Sequence, residues 1–90
     1  MTDLITPCFE GYCGAMRDRA QRIATANPYR ENSPEWVAWD IGAWLFTSGL
    51  TRPERVQISP SSWALGRYHL IYVDGAIVRW LAPGQMEIVS

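Results

Sequence analysis

The chain is 90 residues long, and a chain of that size buries only about 60 to 65% of the surface it exposes when unfolded, which excludes a second core. Its net charge of −1 excludes an overall positive field that would draw it onto nucleic acid or an anionic membrane, so any nucleic-acid role must rest on a local patch. A hydrophobic fraction of 48% with five Trp is enough for a core held without metals or cross-links.

The opening Met-Thr-Asp-Leu-Ile-Thr-Pro has neither the basic start nor the apolar run of a signal peptide. No apolar stretch reaches the roughly 18 residues of a membrane span. Cys8 and Cys13, the only cysteines, are spaced for neither a zinc knuckle nor a redox pair. The expectation is two thiols in a reducing compartment, the cytoplasm, with no metal and no cofactor.

From Phe9 to about Thr25, the apolar residues Phe9, Tyr12, Cys13, Met16, Ala20 and Ile23 recur at three- and four-residue steps. This spacing predicts an amphipathic helix. Gly14 weakens it by about 1 kcal/mol relative to Ala, so it marks either a close contact or a later start. Asn27-Pro28-Tyr29 ends the helix, because a residue before proline is pushed out of the α region.

Ser33, Pro34 and Glu35 then supply a capping oxygen, a pre-set φ and a charge that complements the helix dipole; Gly49 offers a left-handed stop. A second helix is expected from Pro34 to Ser48. Winding it places Trp36, Trp39, Ala43 and Phe46 on one side and Val37, Ile41, Trp44 and Leu45 on another. Asp40 and Thr47 lie on one seam and Ala38 and Gly42 on the other. Such a helix must be covered twice, or one face is left for a partner or a homodimer.

The period then changes. Arg55 to Ile58 reads as a possible short strand and 59–62 as a turn, and 63–73 contains the run Tyr68-His69-Leu70-Ile71-Tyr72-Val73, rich in β-formers. Asp74-Gly75 is a two-residue type I′ hairpin signal leading into Ala76 to Leu81. Pro83-Gly84 suits a type II turn before Met86 to Val89. The register pairs Tyr72 with Ile77, Leu70 with Arg79 and Tyr68 with Leu81 on one face, and Val73 with Ala76, Ile71 with Val78 and His69 with Trp80 on the other. The expected fold is therefore a single α+β domain over 1–90. An N-terminal helical hairpin (9–48) packs on a C-terminal three-stranded antiparallel β-meander (54–89), with room for a fourth short strand.

No nucleophile–base set, metal cluster or phosphate loop is present in the sequence, so no enzymatic activity is expected. The segment Asn27-Pro28-Tyr29, then Ser33-Pro34-Glu35-Trp36-Val37-Ala38-Trp39, then Gly42 and Trp44, preceded by Gly11-Tyr12, resembles the core signature of the ribosome modulation factor family over about residues 9–46. The resemblance implies a non-enzymatic modulator that binds the ribosome or its RNA in translation regulation. The chain differs from that family in being acidic, in having no Lys among its eight cations, and in carrying a β-rich second half.

Two readings of function follow. In the first, an RNA- or partner-binding patch combines Arg17, Arg19, Arg22, Tyr29, Arg30 and Trp36. In the second, a phage or mobile-element inhibitor blocks a host protein, for example of a defence system, through Arg67, His69, Arg79 and Trp80 on the sheet. The partners are accordingly ribosomal RNA or a host protein, with no membrane.

Overall fold

A computed structural model of the chain describes residues 2–58 and 69–89. The α+β arrangement is as expected. The elements are β1 (Thr2–Asp3), α1 (Ile5–Gln21), α2 (Pro34–Thr47), β2 (Val56–Ile58), β3 (His69–Val73), β4 (Ala76–Ala82) and β5 (Gln85–Ile88). They build one antiparallel sheet in the order β1-β2-β3-β4-β5. Four strands follow the helices where three were expected, and a two-residue strand precedes them. The turn expected at 59–62, the first residues of the long strand and the Tyr68–Leu81 pair lie outside the described residues.

The local signals for α2 act as read. The Ser33 side chain accepts the Trp36 N–H at 3.1 Å, and Pro34 opens the helix. At the other end Gly49 takes a φ of 75°. Its N–H reaches the Phe46 carbonyl at 3.0 Å while that of Leu50 reaches Leu45 at 2.9 Å, a Schellman stop. Because the Ser33 cap satisfies a donor that α2 leaves open, Ser33→Ala is expected to cost about 1 kcal/mol, read as a lowered thermal midpoint.

The structure places α1 differently. The helix starts at Ile5, four residues before the expected Phe9, because two contacts fix its first turn. Leu4 N–H pairs with the Val56 carbonyl at 2.7 Å, and Asp3 Oδ1 accepts the Ile5 N–H at 3.0 Å. Pro7 is tolerated there since a first-turn N–H has no helical partner. The helix stops at Gln21, with Arg22 in the left-handed region at φ 55°.

Its buried face is also not the expected stripe. Pro7, Cys8, Gly11 and Gly14 are buried, whereas Met16 is 45% and Ile23 51% exposed. The reason is a backbone-to-backbone crossing. A Cβ on Gly11 would lie 1.9 Å from the Trp39 carbonyl oxygen, and one on Gly42 would lie 1.9 Å from the Cys8 carbonyl oxygen. Each helix thus presents a glycine to a carbonyl of the other, the geometry of the weak Cα–H···O contacts that recur at helix–helix interfaces.

With Ala38 and Gly42 turned to α1, the Val37, Ile41 and Leu45 face of α2 meets the sheet. Leu4, just before α1, and Cys8 in its first turns join Val56, Ile71, Val73, Val78 and Trp80 to complete this core. The described β3–β4 register is the expected one, from His69↔Trp80 to Val73↔Ala76. Both turn residues have positive φ, 50° at Asp74 and 86° at Gly75, as a type I′ turn requires. Asp74 Oδ1 also accepts the N–H groups of Glu54 (2.9 Å) and Arg55 (2.8 Å), which ties this turn to the start of β2.

Candidate partner-binding site

The sheet covers one side of the helical pair and leaves the other side open. There the crossing at Gly11 and Gly42 lets α1 and α2 run close together, and the side chains beyond it form a groove. Ala15, Ile23, Trp39, Ala43 and Phe46 supply its apolar surface, and Asp18, Arg19, Thr25 and Thr47 its polar rim, around a volume of about 640 Å3. Tyr12 and Phe46 meet edge to face at 5.4 Å, and the Tyr12 hydroxyl donates to the Leu50 carbonyl at 3.2 Å. These contacts fix the wall of α2 against α1.

A second, smaller depression of about 310 Å3 lies on the far side of Trp39. It is bounded by α1 through Glu10, Cys13, Gly14 and Arg17, and by the interhelical segment through Thr25, Ala26 and Pro28. The two hollows share Thr25 and Trp39.

The six residues read from the sequence as one patch do not gather into one. Arg17 and Tyr29 come together around Glu10: Arg17 lines the smaller depression with it, and the Tyr29 hydroxyl donates to Glu10 Oε1 at 2.8 Å. Arg19 lies on the rim of the larger groove. Arg22 is exposed at the end of α1, and Arg30 borders a third hollow with Glu31, Asn32, Ser33 and Pro34 at the start of α2. Trp36 faces the other way, half-buried against the core, its ring edge to face with Trp80 at 5.4 Å.

The alternative surface on the sheet divides as well. Arg79 and Trp80 are neighbours on one strand and so point to opposite faces. Arg79 pairs with Glu87 at 2.5 Å on the outer face. Trp80, 9% exposed, belongs to the core and is not available to a partner. The backbone register sets His69 opposite Trp80, and Arg67 lies outside the described residues.

Electrostatically the hairpin is mixed. Among the described residues the one ion pair is Arg79–Glu87, and Arg17, Arg19, Arg22 and Arg30 are exposed. Asp18 accepts both the hydroxyl and the N–H of Thr25, the latter at 2.7 Å. Those bonds, from the hydroxyl first and then the N–H, hold its carboxyl below the usual range, so it stays ionised among the arginines and dilutes their field. Burial, followed by the bond to Glu10, pushes the Tyr29 hydroxyl up, which keeps it a donor.

Among the described residues no group of three His, Cys, Asp or Glu is placed to hold a metal ion. Cys8 is buried, and burial, then the Asp74 charge, pushes its thiol up to about 12. It stays protonated and unreactive. Among the described residues no helix is long and apolar enough to cross a membrane.

The groove itself does not follow from the spacing of apolar residues, although most of its α2 wall does. Trp39, Ala43 and Phe46 formed one of the two apolar faces of α2. The missing signal was the pair Gly11 and Gly42, which decides that this face is the one left partly open. No family model, no curated protein and no solved structure matches the chain.

Proposed function

We propose that this chain is a small non-enzymatic modulator that works in the cytoplasm by binding a host macromolecular complex, and that it engages a protein surface of that complex through the groove between α1 and α2. The observation that carries this reading is the groove's lining. Ile23, Ala43 and Phe46 remain partly or largely exposed in a concavity of about 640 Å3, a setting that suits one or two large apolar side chains of a partner. A protein-binding domain of this kind suits an inhibitor of phage or mobile-element origin that blocks a host protein.

A second reading is favoured by a different observation, the exposure of Arg17, Arg19, Arg22 and Arg30. Together with the resemblance of residues 9–46 to the ribosome modulation factor family, it supports contact with ribosomal RNA. That contact would depend on phosphate neutralisation, and so on salt.

Capture of partners from a lysate of the native host, with and without RNase and at low and high salt, separates the two. Retention of one protein under every condition is the expected result. Loss of ribosomal components with RNase and salt would overturn it in favour of the RNA reading.

A further inference from the structure

The two edges of the sheet are not alike. β1 has only two residues and offers almost no edge to pair with, whereas β5 runs from Gln85 to Ile88 and, among the described residues, lies beside β4 alone. Edge strands of folded proteins are usually blunted by Lys, Pro, a bulge or an inward-pointing charge. β5 contains neither Lys nor Pro, and its one irregularity, between Trp80 and Ala82 of β4, falls at its Gln85 end. From Met86 to Ile88 the ladder is regular.

The register shows which groups face the open side. The Val89 N–H donates to the Ile77 carbonyl at 2.8 Å, so Val89 and, two residues back, Glu87 turn their backbone groups to β4, while Met86 and Ile88 turn theirs to the edge. The side chains alternate as well. Met86 and Ile88 stand opposite the buried Trp80 and Val78 on the helix-facing side of the sheet, and Glu87 stands on the outer side with Arg79. Met86 packs against the core, yet Ile88 is 57% exposed beside a Val78 that is 2% exposed. β4 covers one flank of Ile88, and among the described residues no strand lies along the other.

We infer that a second copy of the chain pairs with this edge, β5 against β5, antiparallel about a two-fold axis at Glu87. An occupant of the edge must bring backbone groups free at two alternate positions, apolar side chains at both, and no uncompensated charge between them. β5 itself has all three. Met86 of each copy exchanges both backbone bonds with Ile88 of the other, which uses every edge-facing backbone group from Met86 to Ile88. Their side chains meet on the helix-facing side and cover the open flank of Ile88. On the outer side Glu87 faces Glu87 of the other copy, but each carboxylate is held by its own Arg79 at 2.5 Å, so the row carries no net charge. A two-fold axis at Ile88 would separate the carboxylates and leave the Met86 groups without an Ile88 to pair with, which is the poorer exchange.

The test is analytical ultracentrifugation of the full chain at concentrations up to about 1 mM, where the wild type is expected to shift towards a dimer by mass action. Ile88→Pro removes an N–H that faces the edge and none that bonds to β4, so the monomer keeps its ladder. Its dimer dissociation constant should rise by at least about tenfold, while its thermal midpoint at low concentration stays at the wild-type value. A second readout fixes the register in a Cys13→Ser background. Facing residues at the two-fold axis lie about 4.5 Å apart between Cα atoms, within reach of a disulfide, so Glu87→Cys should cross-link to itself under mild oxidation and Val89→Cys should not.

A monomer at every concentration would overturn the second copy as the occupant. A dimer that Ile88→Pro leaves intact, or that cross-links through Val89→Cys as readily as through Glu87→Cys, would overturn the edge pairing. Neither readout involves the groove between the helices or its partner, so a failure here is distinct from a failure of the protein-binding reading.

Discussion

Gly11→Ala is expected to cost at least about 3 kcal/mol, the upper end of ordinary overpacking penalties, and Gly42→Ala the same. A methyl group at either position would lie 1.9 Å from a carbonyl oxygen of the facing helix, with the carbonyl carbon 2.8 Å away in each case. These are backbone atoms inside helices, so no rotamer change relieves the contact; the helices must separate. Separation also loosens the packing of Cys8, Ala38 and Ile41, which are fully buried beside the crossing. Against a total stability of roughly 5 to 13 kcal/mol for a domain of this size, either substitution removes a large share.

Gly14→Ala provides the contrast. The new Cβ would meet only the Trp39 ring, at 3.5 Å, an ordinary contact, and helix propensity then favours alanine by up to about 1 kcal/mol. Urea unfolding of the three variants is the measurement. The expected order is Gly14→Ala at or above the wild type, with Gly11→Ala and Gly42→Ala far below. Three similar midpoints would contradict the backbone crossing.

The second large effect is expected at Asp40. Its Oδ2 accepts the Trp80 indole N–H at 2.8 Å and the Gly84 N–H at 2.9 Å. One carboxylate on α2 therefore holds both β4 and the β4–β5 turn. Asp40→Ala leaves an indole N–H of a buried tryptophan facing the space the carboxylate filled and removes two charge-assisted bonds, so a loss of about 2 to 4 kcal/mol is expected. Asp40→Asn keeps an acceptor oxygen in place and should cost about 1 kcal/mol. A double-mutant cycle with Trp80→Phe, followed by thermal unfolding, isolates the indole bond; additive losses would show that the indole bond has no part in the effect of Asp40.

Gly11, Gly42 and Asp40 also show what the sequence could and could not reveal. The start and stop of α2 were legible because Ser33, Pro34 and Gly49 act through local backbone chemistry. The Asp74-Gly75 hairpin was legible for the same reason, and with it the β3–β4 register. The packing face of α1 was not. Hydropathy spacing weights Met16 and Ile23 and passes over glycine, yet the close approach is made by Gly11 and Gly42, so the apolar stripe lies beside the contact. β1 has only two residues and leaves no periodic trace.

Asp40 read as a seam residue, since nothing in the spacing of α2 says that an indole forty positions later will reach it. Trp80 and Trp36 were placed among candidate contacts because exposure cannot be read from residue type, and they meet each other at the edge of the core instead. Arg17, Arg19, Arg22 and Arg30 were read as one patch, and each is exposed. That they do not converge was not legible, because it depends on where the interhelical segment turns back, which Asp18, Arg22 and Thr25 decide.

The central claim is that the open face of the helical hairpin, and not the outer face of the sheet, meets the partner. Ile23 beside the groove and Leu81 on β4 are equally exposed, at 51% each, and so make a matched pair. Binding of the captured partner should be measured for Ile23→Asp and Leu81→Asp, after confirming that both variants keep the wild-type thermal midpoint. The account predicts that Ile23→Asp weakens binding by about tenfold or more and that Leu81→Asp leaves it unchanged. Loss of binding in Leu81→Asp with Ile23→Asp unaffected would contradict it and move the partner to the sheet.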